Sequence, residues 1–568
     1  MRRRSSPSHS LYAKGPLHGR VGGSVKVIVV SGGVISGLGK GITTSSLGRL
    51  LKARGISVTI VKIDPYLNVD AGTMNPYQHG EVFVLDDGTE ADLDLGNYER
   101  FLGQNMVGTH NLTTGKIYRS VIEKERRGDY LGNTVQIIPH VTGEIKRTIR
   151  EVAQAAGAEV VLVEVGGTVG DIESMPFLEA LRELSYELGE GHMAFVHTTL
   201  VPVVGPVGEP KTKPTQHSVR ELRAIGIRPN VIICRGPMPI TPDIKAKISL
   251  FCDVPPEAVI SVPDQPTIYE VPLVLEAQGV GTLLTRLLGL PERPPDYTAW
   301  KEFLATYRRC EGSVEVAVVG KYTELRDAYL SHSEAFHHCQ GSLGVEIRLQ
   351  WYDSEDIPKN PSLLARLQRS DAIIVPGGFG SRGAEGKIRA IEVARTGGIP
   401  YLGICYGFQL AAIETARNVL GLPKANTTEV DAATPDPVVC ILEEQKGLEA
   451  LGGTMRLGAQ RIILNPGSKV ADLYGKGEIW ERHRHRYEIN PKYIEPLASK
   501  GLIVGGMSVD GRVEVLEMPS HPFFIGVQYH PEFLSRPEAP HPLYMALIRA
   551  AMARKEVASP VAVAPALA

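Results

Sequence analysis

The feature that most constrains this chain is a glycine-rich loop placed between a short β-branched run and a helical stretch. Residues 25–30 have the composition of a strand buried in a parallel sheet. The loop at residues 31–41 follows directly, and the pattern then predicts a helix over residues 41–54 and a strand over residues 58–63. Strand, loop, helix and strand in this order form a βαβ unit. The sequence therefore predicts an α/β fold with a doubly wound sheet.

The strand, glycine loop and helix pattern occurs a second time, beyond a proline-rich segment. Two further buried strands are predicted at residues 160–165 and 231–234, and the second series begins with a strand at residues 314–320. The three prolines within residues 289–296 oppose both helix and sheet. A chain of 568 residues is long enough for two or more hydrophobic cores. We therefore expect two doubly wound, mostly parallel-sheet domains, at residues 25–290 and 313–554, joined by a linker at residues 291–312.

The two ends of the chain differ from the predicted domains in composition. Residues 1–24 are rich in Arg and Ser, contain no acidic residue and have no apolar core, so they do not resemble a secretory signal. Organelle targeting and a disordered extension both stay open, and we favour the extension. Residues 555–568 are of low complexity and predict a disordered tail. No apolar run reaches the roughly 18 residues that span a membrane, so we expect a cytoplasmic protein.

Charge and cysteine content narrow the classes of function. The net charge of −2 indicates neither a nucleic-acid partner nor an anionic membrane. The six cysteines form no C-x-x-C pair, as is typical of a reducing compartment. No Asp or Glu precedes Asp64, although Lys and Arg recur throughout that stretch. Two interpretations of this asymmetry remain: a solvated basic face, or a binding site for a polyphosphate.

The glycine loop itself favours the polyphosphate. Glycines allow backbone N–H groups to approach a phosphate, and the following helix adds its N-terminal dipole. Lys40 would reach the β- and γ-phosphates as a point charge. The match to the phosphate-loop pattern is imperfect, because Gly33 to Gly39 is one residue too long and Gly41 stands where Ser or Thr would bind magnesium. A structural glycine turn that binds no nucleotide is the alternative.

Two acidic segments could supply the metal ligands that the loop lacks. Residues 89–96 contain three carboxylates, and Glu164 lies near the carboxyl end of a predicted strand. Mg²⁺ prefers hard oxygen ligands and is commonly held by one or two carboxylates together with phosphates. We therefore predict that Asp94 and Glu164 bind Mg²⁺.

The second domain contains a candidate nucleophile. The spacing Gly403-x-Cys405-x-Gly407 suits a sharp strand-to-helix turn that exposes the sulfur, and the helix N-terminus would favour a thiolate. His530 and Glu532 could form the base and its orienting carboxylate. A cysteine at the end of an apolar strand is often an inert core residue. The glycine frame together with the His-x-Glu element favours catalysis.

The longest motifs closely resemble known families. Segments 31–41, 62–66, 70–73, 79–83, 166–174 and 211–216 resemble the synthetase domain of CTP synthases, and the second domain resembles class I glutamine amidotransferases. The resemblance extends from about residue 25 to about residue 554. Ser31 stands where the family usually has Thr, and Tyr406 stands where it usually has Leu. Tyr406 is the larger departure, and its hydroxyl would need a partner if it is buried.

The resemblance assigns roles to individual residues. Lys62 would lie near the transferred phosphate, and Arg382 with residues 452–458 would belong to elements linked to GTP activation. Residue 406 and the loop at residues 375–380 would supply the backbone N–H groups of an oxyanion hole. The ATP-binding residues would be Gly37, Leu38, Gly39, Lys40, Gly41, Ile42, Lys62 and Asp94. The residues contacting UTP or CTP would be Ser36, Asp171, Ile172, Glu173, Lys211, Thr212, Lys213, Pro214, Thr215, Gln216 and Lys247. The glutamine-binding residues would be Gly378, Tyr406, Gly407, Phe408, Gln409, Glu429 and Arg486.

The resemblance also implies a reaction and its partners. ATP would phosphorylate the 4-oxygen of UTP, and ammonia released from glutamine at Cys405 would displace the phosphate to form CTP. Mg²⁺ would be the cofactor, GTP an activator, CTP a feedback inhibitor, and the assembly a homotetramer that sometimes forms filaments. The alternatives are another ATP-dependent amidoligase with the same pair of domains, and a non-catalytic assembly protein with this fold. Segments 166–174 and 211–216 argue against the first, and the intact candidate catalytic residues argue against the second.

Overall fold

A computed structural model describes residues 25–205, 208–321, 323–442 and 455–558. The expected extension at residues 1–24 therefore lies outside the described residues, as do residues 559–568 of the expected tail. The last helix continues through Ala558. The segment 555–558, expected in the tail, is thus helical, because it continues the helix that precedes it.

The first domain is built around a parallel sheet that carries the predicted strands. Its strands are β1 Lys26–Gly32, β2 Val58–Asp64, β3 Phe83–Val84, β4 Glu90–Ala91, β5 Asn111–Thr113, β6 Val160–Val165, β7 Met193–Leu200, β8 Val203–Val204, β9 Glu209–Pro210, β10 Val231–Gly236 and β11 Val259–Pro263. Its helices are α1 Lys40–Lys52, α2 Pro76–His79, α3 Asp94–Leu102, α4 Thr114–Arg127, α5 Thr142–Ala155, α6 Met175–Leu188, α7 Lys213–Ala224, α8 Pro242–Cys252, α9 Val271–Ala277 and α10 Val280–Leu287.

Seven of these strands form the central sheet, in the order β11-β10-β7-β1-β6-β2-β5, and all neighbouring pairs are parallel. The buried faces are lined by β-branched and leucine side chains, as expected when helices cover both faces. The register pairs Lys62 on β2 with Glu164 on β6 and with Asn111 on β5. Strand pairing thus places three polar side chains together at the carboxyl edge of the sheet.

The second domain has its own helices and strands. Its strands are β12 Ser313–Gly320, β13 Glu346–Asp353, β14 Ala372–Val375, β15 Tyr401–Ile404, β16 Asn426–Thr427, β17 Pro437–Cys440, β18 Arg456–Leu464, β19 Glu478–His485, β20 Glu488–Ile489, β21 Ile503–Ser508, β22 Val513–Glu517 and β23 Phe524–Val527. Its helices are α12 Leu330–Leu343, α13 Pro361–Leu367, α14 Ala384–Gly397, α15 Tyr406–Asn418, α16 Lys469–Tyr474, α17 Ile494–Ser499 and α18 Pro542–Ala558, and α11 Thr298–Arg308 precedes them.

The main sheet of the second domain is mixed rather than mostly parallel. Its nine strands run in the order β13-β12-β14-β15-β23-β22-β21-β18-β19. The pairs from β13 to β23 are parallel, and the pairs from β23 to β19 are antiparallel. The α/β class is confirmed, but the expectation of a mostly parallel second sheet holds for only half of it. Strands β21, β22 and β23 are joined by short connections, which permit antiparallel pairing only.

The expected linker contains a helix. Residues 291–297 have no regular structure, but α11 occupies half of the segment that we expected to be a simple connection. Trp300, Phe303 and Leu304 recur at helical spacing and pack against Phe101 and Tyr269 of the first domain. The proline-rich segment is therefore followed by an amphipathic helix, and the apolar face of this helix packs against the first domain.

The two domains are in direct contact through buried charged and aromatic groups. Glu99 on α3 accepts hydrogen bonds at 2.9 Å from Arg482 on β19 and at 2.6 Å from Arg536. Phe533 of the second domain belongs to the hydrophobic core of the first, where its ring centroid lies 4.9 Å from that of Phe83. Phe533 is three positions after His530 in the chain, so the contact between domains adjoins the candidate catalytic histidine.

Candidate active sites in the two domains

The predicted phosphate loop leads from β1 into α1, as expected. Helix α1 begins at Lys40, and the side chain of Lys40 is buried against Gly32. The Lys40 ammonium donates a hydrogen bond of 2.7 Å to the carbonyl of Gly167. Burial lowers the pKa of Lys40, while the nearby carboxylates of Glu164 and Asp94 oppose that effect. The ammonium therefore lies between the glycine loop and the loop after β6, close to two acidic groups.

The structure explains why glycine stands at position 41. A Cβ added there would overlap a carboxylate oxygen of Asp94 and lie 2.5 Å from its Cγ. Such contacts are closer than van der Waals packing allows. The Asp94 carboxylate thus fills the space that a Ser or Thr side chain would need. The absence of Ser or Thr at position 41 therefore goes together with the presence of the Asp94 carboxylate, which comes from the start of α3.

Lys62 lies at the centre of an acidic cluster. Its ammonium forms an ion pair with Asp94 and lies 2.9 Å from Glu164 Oε1, 3.9 Å from Asp92 and 4.0 Å from Asp64. Burial alone would lower the pKa of Lys62, but Asp94 and Glu164 hold it well above its usual value. The ammonium is therefore charged and fixed at the carboxyl edge of the sheet.

The cluster contains more carboxyl groups than ammonium groups. Burial raises the pKa of Asp92 to about 8 and raises those of Asp64 and Glu164, although Lys62 opposes each shift. The Asn111 side-chain amide donates to Asp64 at 2.7 Å, while its own oxygen, Oδ1, is buried without a hydrogen-bond partner. Hard oxygen donors in excess around one ammonium fit a divalent cation such as Mg²⁺. Our sequence reasoning omitted Asp64 and Asp92, although the Asp92-x-Asp94 spacing was a usable signal.

A cavity adjoins the start of α1. Gly39 and Ile42 of the predicted ATP-binding set line it. The other lining residues are Thr43, Arg235, Val262, Gln265, Thr267, Ile268 and Val271. Most of these lie at the carboxyl ends of β10 and β11, far away in sequence, and no local motif marked them.

The residues expected to contact UTP or CTP fall into two groups. Lys211 forms an ion pair of 2.6 Å with Glu209. Lys211 is the main cause of the lowered pKa of Glu209, and Lys247 on α8 lies near enough to contribute to it. Lys213 lies 5.7 Å from the ring centroid of Phe251. Thr212 and Thr215 are buried, whereas Asp171, Ile172 and Glu173 form an exposed loop after β6. Among the described residues, no ion pair or hydrogen bond joins this loop to the three lysines.

Cys405 lies at the strained turn that its spacing predicts. Strand β15 ends at Ile404 and helix α15 begins at Tyr406, so Cys405 alone forms the turn, with φ of 50° and ψ of −97°. Its N–H donates to the carbonyl of Val527 at 2.7 Å. A non-glycine residue with positive φ is uncommon, and this geometry is typical of a nucleophile elbow. The turn presents the sulfur at the N-terminus of α15.

His530 and Glu532 form the expected pair beside this cysteine. His530 Nδ1 lies 2.7 Å from Glu532 Oε1, and both residues are buried. Burial would lower the pKa of His530, but Glu532 and Cys405 raise it to about 10. The same oxygen of Glu532, Oε1, lies 3.5 Å from His332 Nε2, and His332 Nδ1 is paired at 2.5 Å with the hydroxyl of Tyr544. Sequence reasoning did not identify His332, which lies on α12, about 200 positions before the catalytic pair.

The Tyr406 hydroxyl has a partner inside the domain. The side chain is buried and donates a hydrogen bond of 3.0 Å to the carbonyl of Gly380. The N–H of Gly380 donates at 2.6 Å to Glu429, whose pKa is raised by burial. The departure from leucine at position 406 therefore links the nucleophile helix to the loop that was expected to form the oxyanion hole.

The remaining glutamine-binding candidates differ in what they offer a ligand. Gln409 is buried and donates at 2.9 Å to the carbonyl of Tyr487, and Arg486 lies close enough to Glu429 to influence its pKa. Gly407 packs against the carbonyl of Val375. The side chain of Phe408 lies in the hydrophobic core, so only its backbone could contact glutamine.

The elements expected to be linked to GTP differ in position: Arg382 has contacts within the second domain, and Gly458 lies against the first domain. Arg382 donates at 3.1 Å to the carbonyl of Lys321 and lies 3.2 Å from Glu355. Of the segment 452–458, residues 452–454 lie outside the described residues. Gly458 on β18 approaches the first domain so closely that an added Cβ would lie 2.6 Å from the carbonyl of Asp86. A larger residue at position 458 would push the two domains apart.

One further cluster has the composition of a metal site. His483, His485 and Glu514 offer ligand atoms within 4.8 Å of one another. However, His483 already pairs with Glu514 at 2.9 Å, and Arg456 binds the same carboxylate at 2.7 Å. The charge of Arg456 already neutralises the carboxylate that a metal ion would need as a ligand. We therefore interpret this cluster as a buried ion-pair network.

Comparisons with known proteins agree for both domains. Residues 26–290 match the model described as the CTP synthase N-terminus, and residues 324–550 match the model described as glutamine amidotransferase class-I. A protein named CTP synthase from Thermococcus gammatolerans is 56% identical over 93% of this chain and 99% of its own length. Another from Pyrococcus furiosus is 56% identical over 94% of this chain and 98% of its own length. A third, from Thermosynechococcus vestitus, is 55% identical over 93% of this chain. Within the described residues, no helix is both long enough and apolar enough to cross a membrane.

Proposed function

Because this chain belongs to the CTP synthase family, we propose that its two domains divide one reaction between the Lys40–Lys62 cluster and Cys405. The enzyme is a glutamine-hydrolysing ligase that aminates UTP to CTP at the expense of ATP. The observation that carries the proposed division is the presence, in one chain, of a strained Cys405 turn beside His530 and of a separate carboxylate cluster around Lys62.

In the first domain, the protein would neutralise the charge of the phosphates and position the two nucleotides. The γ-phosphoryl group of ATP passes to the 4-oxygen of UTP, ammonia adds at C4, and phosphate leaves. Lys40 and Lys62 would neutralise charge on the transferred group, and such neutralisation contributes more to phosphoryl transfer than covalent chemistry does. Asp94 and Glu164 would hold Mg²⁺, which supplies Lewis-acid neutralisation of the phosphates. The cavity beside Gly39 would receive the nucleoside part of ATP.

In the second domain, the geometry supports hydrolysis of glutamine through a thioester. Cys405 Sγ attacks the side-chain amide carbon, and the protonated His530 gives a proton to the departing ammonia. Glu532 holds the imidazole by its Nδ1. The N–H of Tyr406 and an N–H of the loop at residues 375–380 would stabilise the oxyanion. Water then hydrolyses the thioester, with His530 as the base, and releases glutamate.

The regulatory partners and the assembly belong to the same proposal. Exposed lysines at 211, 213 and 247 would hold the triphosphate of UTP and equally that of CTP, which would make CTP a competing inhibitor. Exposed Ile172, Leu250 and Phe251 lie on the elements that carry these candidates, as expected of a subunit contact in a homotetramer. GTP would act as an activator through Arg382. We further propose that the domains span residues 25–290 and 313–554 and that the protein is cytoplasmic.

Two variants assayed with two nitrogen sources test the division of labour. Lys40→Ala should abolish CTP formation from both glutamine and ammonia while Cys405 still reacts with an electrophile. Cys405→Ala should abolish glutamine-dependent synthesis and keep ammonia-dependent synthesis, because external ammonia bypasses only the second domain. Near-normal synthesis from ammonia in Lys40→Ala, or an equal loss with both nitrogen sources in Cys405→Ala, would contradict the assignment.

A further inference from the structure

The second domain buries a lysine that neither the sequence motifs nor the reaction has used. Lys387 on α14 is fully buried. Among the described residues, no carboxylate forms an ion pair with it. Burying a charged group without a counter-charge is unfavourable, so such a group is retained only where its hydrogen bonds are needed.

The Lys387 ammonium contacts the loop after β14 and lies over the ring of Tyr406. It donates to the carbonyl oxygen of Pro376 at 2.9 Å and to that of Gly377 at 3.3 Å. It also lies 5.3 Å from the ring centroid of Tyr406. Burial and the neighbouring Lys321 lower its pKa to about 7, while Cys405 opposes that shift. The ammonium therefore lies behind the loop, within electrostatic reach of the nucleophile.

The planarity of the peptide bond converts these two contacts into an orientation of N–H groups. In a trans peptide the carbonyl and the N–H point in opposite directions. The carbonyl of Pro376 shares its peptide unit with the N–H of Gly377, and the carbonyl of Gly377 shares its unit with the N–H of Gly378. Both N–H groups must therefore point away from Lys387.

The side of the loop away from Lys387 is the side of the catalytic pair. A Cβ added at Gly377 would lie 3.0 Å from His530 Cε1 and 3.6 Å from Cys405 Cβ. A Cβ added at Gly378 would instead lie 3.5 Å from the Lys387 ammonium. The loop therefore passes between the lysine on one side and Cys405 with His530 on the other.

We propose that Lys387 is a positioning residue that holds the 376–378 peptides so that an oxyanion-hole N–H faces Cys405. Whichever of the two N–H groups serves, the same ammonium orients it. This inference rests on the proposed role of Cys405 as the glutamine nucleophile. Lys387 touches neither substrate nor sulfur in this arrangement, and it acts through the backbone of the loop.

The test separates stabilisation of the oxyanion from the other roles of a buried lysine. Hydrolysis of glutamine needs the oxyanion hole, whereas alkylation of Cys405 by iodoacetamide needs only the thiolate. The full-length variant Lys387→Met should lose at least about tenfold in kcat for glutamine hydrolysis, because removal of one oxyanion donor costs roughly a hundredfold or more. The KM for glutamine, the rate of Cys405 alkylation and ammonia-dependent CTP synthesis should each stay within about threefold of wild type.

A matched control lies in the same domain. Lys469 also donates to two consecutive carbonyls, at 3.3 Å to His521 and at 2.8 Å to Pro522, on another element. Lys469→Met should leave glutamine hydrolysis unchanged. Unaltered glutamine hydrolysis in Lys387→Met would overturn the proposal. A parallel fall in the rate of Cys405 alkylation would also overturn it, because that result indicates an effect on the thiolate. A parallel fall in ammonia-dependent synthesis would overturn it as well, because that result indicates a general structural role. Wild type and Cys405→Ala are assayed alongside, and glutamine hydrolysis surviving in Cys405→Ala would instead reject the proposed nucleophile.

Discussion

Substitution of Gly41 by alanine is expected to disable the first domain, although alanine is the better helix former. The added Cβ would overlap the Asp94 carboxylate, which must then withdraw by more than an ångström. Asp94 is also an ion-pair partner of the buried Lys62, so its withdrawal leaves that ammonium dependent on Glu164 at 2.9 Å. Serine, the residue of the usual phosphate-loop pattern, would meet the same obstacle at its Cβ.

Two magnitudes follow from this geometry. A hydrogen bond to a charged group contributes about 2 kcal/mol to stability, and its loss lowers the melting temperature by several degrees in a domain of this size. A misplacement of about 1 Å in a catalytic group costs on the order of a hundredfold in rate. We therefore expect Gly41→Ala to reduce CTP synthesis about a hundredfold or more, with only a modest loss of stability.

The assay compares ammonia-dependent CTP synthesis, basal glutamine hydrolysis and thermal unfolding in wild type, Gly41→Ala and Gly41→Ser. Gly143→Ala is the matched control, because Gly143 lies in α5 of the same domain and an added Cβ meets nothing within 4 Å there. That control should be neutral or slightly more stable, by up to about 1 kcal/mol. Glutamine hydrolysis should be unaffected in all three variants. Ammonia-dependent synthesis within about threefold of wild type in Gly41→Ala would refute the reasoning.

Three further predictions concern the second domain and the nucleotide site. Tyr406→Leu removes the hydrogen bond to Gly380 but no backbone donor, so glutamine hydrolysis should change by less than about tenfold, or roughly 1.4 kcal/mol in the barrier, and ammonia-dependent synthesis not at all; a loss of several orders of magnitude would show that the hydroxyl takes part in the chemistry. The pKa of His530 is raised from 6.5 to about 10, so its protonation stabilises the folded state fully below pH 6.5, and this contribution is lost as the pH rises through 10. Glu532→Gln should lower that pKa and move the alkaline limb of the pH profile of glutamine hydrolysis to lower pH, and an unmoved limb would contradict this electrostatic role. CTP should inhibit in competition with UTP, and Lys247→Ala should weaken both the binding of UTP and the inhibition by CTP. Inhibition that excess UTP cannot relieve would exclude overlapping sites.

The features that could be predicted from sequence are those encoded within a few tens of residues. The strands at residues 58–63 and 160–165, the glycine loop and the turn at Cys405 each depend on residues adjacent in the chain, and each is present. Helix α11 within the expected linker was not predicted, although Trp300, Phe303 and Leu304 recur at helical spacing. The strand, loop and helix pattern at the start of the second domain predicted a mostly parallel sheet, whereas the later strands pair antiparallel.

Only the tertiary structure decided which distant residues meet. The sequence by itself determined two α/β domains, a phosphate-type loop with Lys40 and a Cys-His-Glu set, because short-range periodicity and turn chemistry dictate those elements. It could not show that Asp94 fills the space beside Gly41, that His332 supports Glu532, or that Lys387 lies behind the 376–378 peptides. Those contacts depend on strand order and on the packing of helices against the sheet. The free energy of burying a charge is determined by every group around it, and these groups come from segments up to hundreds of residues apart.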